Sequence, residues 1–408
     1  MDSPIPRLRT DLEIMPTTYQ GQQAYIIRDF LGLIQKPLLL EGDALNLLSL
    51  ADGKRTVRDI QLLLMRRGGG VFISAESIQN QFAELDRVHL LDSDRYRGQK
   101  KQLADSYAKL KVRAAAHAGQ CFPDSKKDLE RFLDSILELG EDGPEKKDGE
   151  AVCALAAPHI DFDAGGKIYG QAYRALRHLQ PQKIIVLGTG HSLESGYFSL
   201  TEKDFETPLG RTRTDKASVE ALRHAGARAV APDDLAHRRE HSIEFQVIFL
   251  QRLFGTDFVL IPFLCGSFTA KLFRVSRASK IPGVGDFLRA LTGIIAENGD
   301  RVLIVAGIDF SHIGPKFGHR RPAASMLLEA KRHDQALIEA CAKGDAEALW
   351  AESKRVRDEY NVCGFSSLAC LLEVLPSARG VLLGYDFWQE PETQSAVSFA
   401  AIQFVKKS

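Results

Sequence analysis

Apolar residues follow two patterns along this chain, and one gives way to the other near residue 150. Before that point, GDALNLLSLADGKRTVRDIQLLLMRR and SAESIQNQFAELDRVHLLDSD repeat apolar positions at three- and four-residue intervals. That period predicts short helices burying one face, with Thr56 and Ser74 as N-caps and DGKRT as a turn. Beyond residue 150 come continuous apolar runs: AVCALAAP, KIIVLG, FVLIPFL, RVLIVAG and GVLLGY. Stretches of helical character separate them, among them GKIYGQAYRALRHL, SIEFQVIFLQRLF and VGDFLRALTGIIAEN. Strands apolar on both faces, alternating with helices, predict an α/β domain with a mainly parallel sheet covered by helices on both sides. The closing SAVSFAAIQFV reads as a final, antiparallel strand.

With 408 residues the chain exceeds the usual single domain, and its punctuation suggests where to divide it. Residues 1–97 are expected to form a small helical, winged-helix-like unit ending in a hairpin, 98–111 a linker helix, and 112–408 the α/β domain. EDGPEKKDGE, Glu141–Glu150, reads as an exposed loop. Within the first unit, LLSLADGKRTVRDI resembles the PqqD-like domains, which bind peptide substrates beside radical enzymes. A docking or dimerisation role without peptide accounts for the same pattern.

Composition narrows the function classes. Fifty-three basic residues balance 53 acidic ones, so nothing global draws the chain to nucleic acid or an anionic membrane. No run approaches 18 uninterrupted apolar residues, and the opening MDSPIPRLRTDLE lacks the apolar core of a secretory signal. Six cysteines occur without a CxxC pair, which makes a reducing, cytoplasmic setting the simplest expectation.

Candidate chemistry collects where apolar runs stop, which is where open α/β sheets bind ligands. AVCALAAP leads to His159, Asp161 and Asp163, KIIVLG to His191, and RVLIVAG to Asp309, Ser311 and His312. One histidine at a strand end is ordinarily a hydrogen-bonded loop residue; three at equivalent ends would converge on one rim. EHSIEFQ adds His241 and Glu244 on one face of a helix start, where the glutamates also suit the helix dipole. NVCGFSS puts Cys363 just before a helix, a position expected to lower a thiol's pKa, while Cys370 reads as core. Imidazoles with a thiolate suit iron, copper or zinc.

Six segments, in order, resemble the Memo family. KVRAAAHAGQCFPDSKKDLERFLDSIL is similar to that family's opening, and APHIDFDAGG to APHAGYxYxG. IVLGTGHS resembles LGPSHH, EHSIEFQ resembles EHSIEMQ, GIDFSHIG resembles SSDFSHYG, and NVCGFSSLACLLEVL resembles xxCGxxPIxxLL. Bacterial and archaeal members are called AmmeMemoRadiSam system protein B, and their fold is similar to that of class III extradiol dioxygenases. The resemblance implies metal ligation by His159, His191 and Cys363, with His312 as acid/base oriented by Asp309, and His241 assisting in the cleft. It also implies radical SAM and other AmmeMemoRadiSam partner proteins, and a substrate that is peptide-linked or aromatic. The segments depart from the pattern at Asp161, Asp163, Ala164 and Ser367, which points to a remodelled pocket. The expected function is a non-heme iron, or copper, redox enzyme. The alternatives are a non-catalytic partner-binding protein and a zinc-dependent hydrolase.

Overall fold

The computed structural model describes residues 3–67, 72–140, 151–375 and 378–406, so the expected loop Glu141–Glu150 lies outside the described residues. The chain divides into two compact units, Met1–Lys109 and Leu110–Ser408.

The first unit opens with strands. Leu12–Tyr19 and Gln22–Asp29 form an antiparallel hairpin, and Leu38–Glu41 pairs with the second of them. Gln20 and Gly21 both take positive φ, 50° and 78°, as a two-residue hairpin turn requires. Pro16 is tolerated because its strand lies at the sheet edge. Helices Gly42–Leu48, Val57–Arg67, Ala75–Arg87 and Asp94–Ala108 follow. The sequence reading puts the hairpin after the helices, whereas the structure puts it before them. Thr56 exchanges hydrogen bonds with Asp59 in a capping box, and Ser74 accepts from the Ser77 N–H at 3.0 Å. Ile27, Leu48, Ile60, Ile78 and Leu90 make the fully buried centre. The expected linker helix belongs to this unit: it starts at Asp94, and its Tyr96 hydroxyl donates to Asp11 at 2.6 Å. Asp11 in turn pairs with buried Arg9 at 2.9 Å.

The second unit is α/β. Four parallel strands form its centre in the spatial order Val152–Ala157, Val302–Gly307, Lys183–Thr189, Val259–Cys265. Ser395–Lys406 joins antiparallel beside the first of these, and the 13-residue Ala378–Glu390 pairs with it in turn. Short strands at Asp204–Thr207, Gly210–Thr214 and Val112–Ala114 extend the opposite side. Alternate residues of each central strand enter different cores: Ile304 and Ala306 pack with helices Val284–Asn298 and Phe365–Val374. Leu303 and Val305 pack with helices Lys126–Leu139, Phe162–Arg174 and His241–Phe254. Each face removes apolar surface from water, which is why these strands read as unbroken hydrophobic runs. No helix among the described residues is long and apolar enough to cross a membrane.

Candidate metal centre

Three parallel strands deliver polar side chains at one level. Ala157 pairs with Gly307 in register, and Ala306 with Leu187. His159 stands two residues past its strand, as do His191 past Thr189 and Asp309 past Gly307. Cys363 arrives on the turn before helix Phe365–Val374, fastened by a Gly364 N–H donating to the Asp309 carbonyl at 3.1 Å. A Cβ at Gly364 would lie 2.5 Å from the Ile308 Cβ, so this approach requires glycine.

The donor atoms of His159, His191 and Cys363 lie within 4.8 Å of one another. The Cys363 Sγ is 3.3 Å from the His159 Nε2. On the far side of each ring the Nδ1 is occupied. His159 Nδ1 donates to the Gly307 carbonyl at 3.0 Å, and His191 Nδ1 to Glu240 at 3.0 Å. Those acceptors engage the Nδ1 side of each ring and turn both Nε2 atoms inward, the arrangement metal-ligating histidines show. Burial pushes His159 down to about 3, so its imidazole is neutral. Burial would also lower His191, but Glu240 and the Cys363 thiol beside it raise it well above its ordinary value. The Cys363 thiol is raised by burial, with the His191 hydrogen bond opposing.

His241 completes a triangle of imidazoles, its ring centroid 5.2 Å from His159 and 5.0 Å from His191, stacked at 14° on the latter. His312 donates its Nδ1–H to the Phe310 carbonyl at 3.0 Å, and burial pushes it down to about 4. Its neutral form therefore offers Nε2 as a proton acceptor at pH 7. Asp309 is pushed up to about 6 by burial; it accepts from the His159 backbone N–H at 3.1 Å and lies 3.5 Å from the His159 Nε2.

A family profile described as Memo-like protein matches residues 113–403. The chain belongs to the Memo-like family. A MEMO1 family protein of Aquifex aeolicus is 28% identical over 389 residues, covering 93% of this chain and 96% of its own. One from Thermus thermophilus is 27% identical, covering 84% and 97%; one from Nitrosopumilus maritimus is 24% identical, covering 72% and 100%. The Aquifex match extends well into the N-terminal unit.

In this Memo-like chain the structure brings His159, His191, Cys363, Asp309 and His241 together, with His312 on the strand His312–Ile313 beside them. The expected orientation of His312 by Asp309 takes a different form, since the Phe310 carbonyl holds its Nδ1. Asp161 and Asp163 are exposed at the start of helix Phe162–Arg174. Glu244 turns away to Arg113 and accepts from the backbone N–H groups of Ala116 and His117. Sequence reasoning missed Glu240 as the partner of His191, although its place beside His241 in EHSIE was a signal. It also missed His117, whose ring meets His241 at 5.9 Å.

Proposed function

We propose that this chain is a metal-dependent oxidoreductase in which His159, His191 and Cys363 hold a transition metal, iron ahead of copper or zinc. The supporting observation is the donor set itself: two imidazoles with Nδ1 committed elsewhere and a thiol, all within 4.8 Å. A metal bound there supplies Lewis acidity and, for iron or copper, electron transfer. His312, neutral and with Nδ1–H engaged, takes up a proton at Nε2 from a substrate lying beside it. His241 walls the cleft, and the carboxyl of Asp309 braces His159 through its backbone N–H. A substrate presented on a peptide, and partners of the AmmeMemoRadiSam system including a radical SAM enzyme, belong to the same proposal and rest on family membership.

Metal analysis after anaerobic purification tests the reading. Stoichiometric metal in the wild type and none in a His159→Ala/Cys363→Ala variant is expected; equal, near-zero content in both refutes it. The His₂Cys donor set also suits zinc with an activated water, so a second reading is a hydrolase. Turnover without oxygen and a preference for Zn(II) over Fe(II) would favour it. If His312→Gln leaves cellular function intact, the cleft binds a partner without catalysis.

A further inference from the structure

Behind His312 lies a buried polar cluster that the proposed chemistry does not use. Asp334, on helix Leu327–Lys343, has no exposed surface. Its Oδ1 accepts from the Ser311 hydroxyl at 2.6 Å, and its Oδ2 from Ser398 at 2.6 Å and Tyr385 at 2.7 Å. No ion pair to Asp334 occurs among the described residues. Burying a carboxylate against hydroxyls alone is costly, and an apolar side chain would pack at lower cost. The cluster therefore calls for a role beyond stability.

Its geometry supplies one. Ser311 immediately precedes His312, and its N–H donates to the Ser398 hydroxyl at 2.8 Å. The Ser398 N–H donates to the Ser311 carbonyl at 2.9 Å, and the Phe310 N–H to the Ser398 carbonyl at 2.8 Å. Phe310 supplies the carbonyl that holds the His312 Nδ1, and the His312 N–H is itself held by the Tyr360 carbonyl at 2.7 Å. His312 pairs with Val397, the neighbour of Ser398, so the imidazole and the Asp334 cluster occupy opposite faces of one strand.

We propose that Asp334 is a positioning residue: by fastening Ser311 to Ser398 it fixes the Phe310 carbonyl and so the tautomer and direction of the His312 imidazole. The inference rests on His312 being the proton-transfer group, but its test reads geometry directly. Full-length protein carrying isotope-labelled histidine is examined by nitrogen–proton correlation, with the His312 signal assigned by its loss in His312→Gln. The wild type should show one tautomer, protonated at Nδ1. Asp334→Leu and Ser311→Ala should shift the His312 signals toward averaged tautomers, leaving those of His159 and His191 and the Zn(II) affinity unchanged. Asp334→Asn, which keeps one acceptor, should fall between. Trp350→Phe, a core change at a residue bonded to the Leu272 carbonyl, serves as a stability control and should leave His312 alone. If the Asp334 variants lose thermal stability like Trp350→Phe while the His312 signals stay in place, the role is structural and the proposal is wrong. Should Asp334→Leu fail to fold, Ser311→Ala and Asp334→Asn decide. Wild-type turnover in His312→Gln would remove the proton-transfer reading while leaving the spectral result intact.

Discussion

Replacing Glu240 by glutamine removes a charge and an acceptor from beneath two imidazoles at once. The side chain is buried, and its two oxygens accept from three N–H groups. Oε1 accepts the His191 Nδ1–H and the Ser242 N–H, each at 3.0 Å, and Oε2 accepts the His191 backbone N–H at 3.2 Å. The Nδ1 of His241 stands 3.4 Å from Oε1. Burial alone would raise this carboxyl, yet His191, His241 and the Ser242 N–H hold it well below the usual range, so the native group is anionic. Whichever way the amide of a glutamine is turned, its NH₂ confronts an N–H already pointing at it. His191 then loses the anion that orients its ring and that would raise its basicity toward the proposed metal. Losing such an outer carboxylate weakens metal binding by roughly 10- to 100-fold, or about 1.4–2.8 kcal/mol. A chelator-competition titration with Co(II), read through its thiolate charge-transfer band, measures the affinity directly. Wild-type affinity in Glu240→Gln, with His159→Ala abolishing binding in the same assay, would refute the reasoning.

Glu244 sits nearby but answers to a different prediction. Its carboxyl is buried, which would raise its pKa, but Arg113 and His117 depress it from 4.5 to about 2. It therefore contributes stability that is complete above about pH 4.5 and is lost as pH falls toward 2. Glu244→Gln should lower unfolding free energy by about 3–5 kcal/mol at pH 7, as breaking a buried ion pair does, and urea titrations should show the gap closing at pH 3. Gly307→Ala brings a Cβ to 2.3 Å from the Ser242 carbonyl oxygen, so thermal melts should report a loss of about 1–3 kcal/mol. Its metal affinity should also fall, since the Gly307 carbonyl holds His159. Phe249→Ala removes a buried ring stacked 4.4 Å from Tyr173 and 5.3 Å from Tyr169. That should cost about 3–5 kcal/mol while leaving metal bound per folded molecule unchanged.

The central sheet could be read from the chain because both of its faces are covered: Val302–Gly307 is apolar throughout and admits no other element of that length. Elements with one wet face were harder to see. The strand Ala378–Glu390 was legible only through GVLLGY, since DFWQE lies on a half-exposed stretch. The opening hairpin is absent from the sequence reading although Gln20-Gly21 separates two eight-residue runs, and Pro16 fits the first of them only because that strand lies at the sheet edge. At the candidate site the residues were legible and their division of labour was not. Glu240 and Glu244 both suit the first turn of one helix, and only the third dimension sends one to His191 and the other to Arg113, 131 residues away.

Cys363 shows the same limit from the opposite side. A thiol just before helix Phe365–Val374 is expected to ionise easily, since the helix N-terminus favours an anion. The structure adds influences that a linear sequence cannot weigh. Burial disfavours the thiolate, the His191 hydrogen bond opposes burial without overcoming it, and the carboxyl of Asp309, whose carbonyl is 3.6 Å from the Sγ, works with burial. The helix contributes a fraction of a charge, and it does not prevail against desolvation. A metal held by His159, His191 and Cys363 would draw the proton off, so metal uptake at this site should release protons, that of the apo thiol among them. The thiol keeps its proton at neutral pH and would become a thiolate on taking up the proposed metal, a dependence on His159 and His191 that the NVCG segment could not reveal by itself.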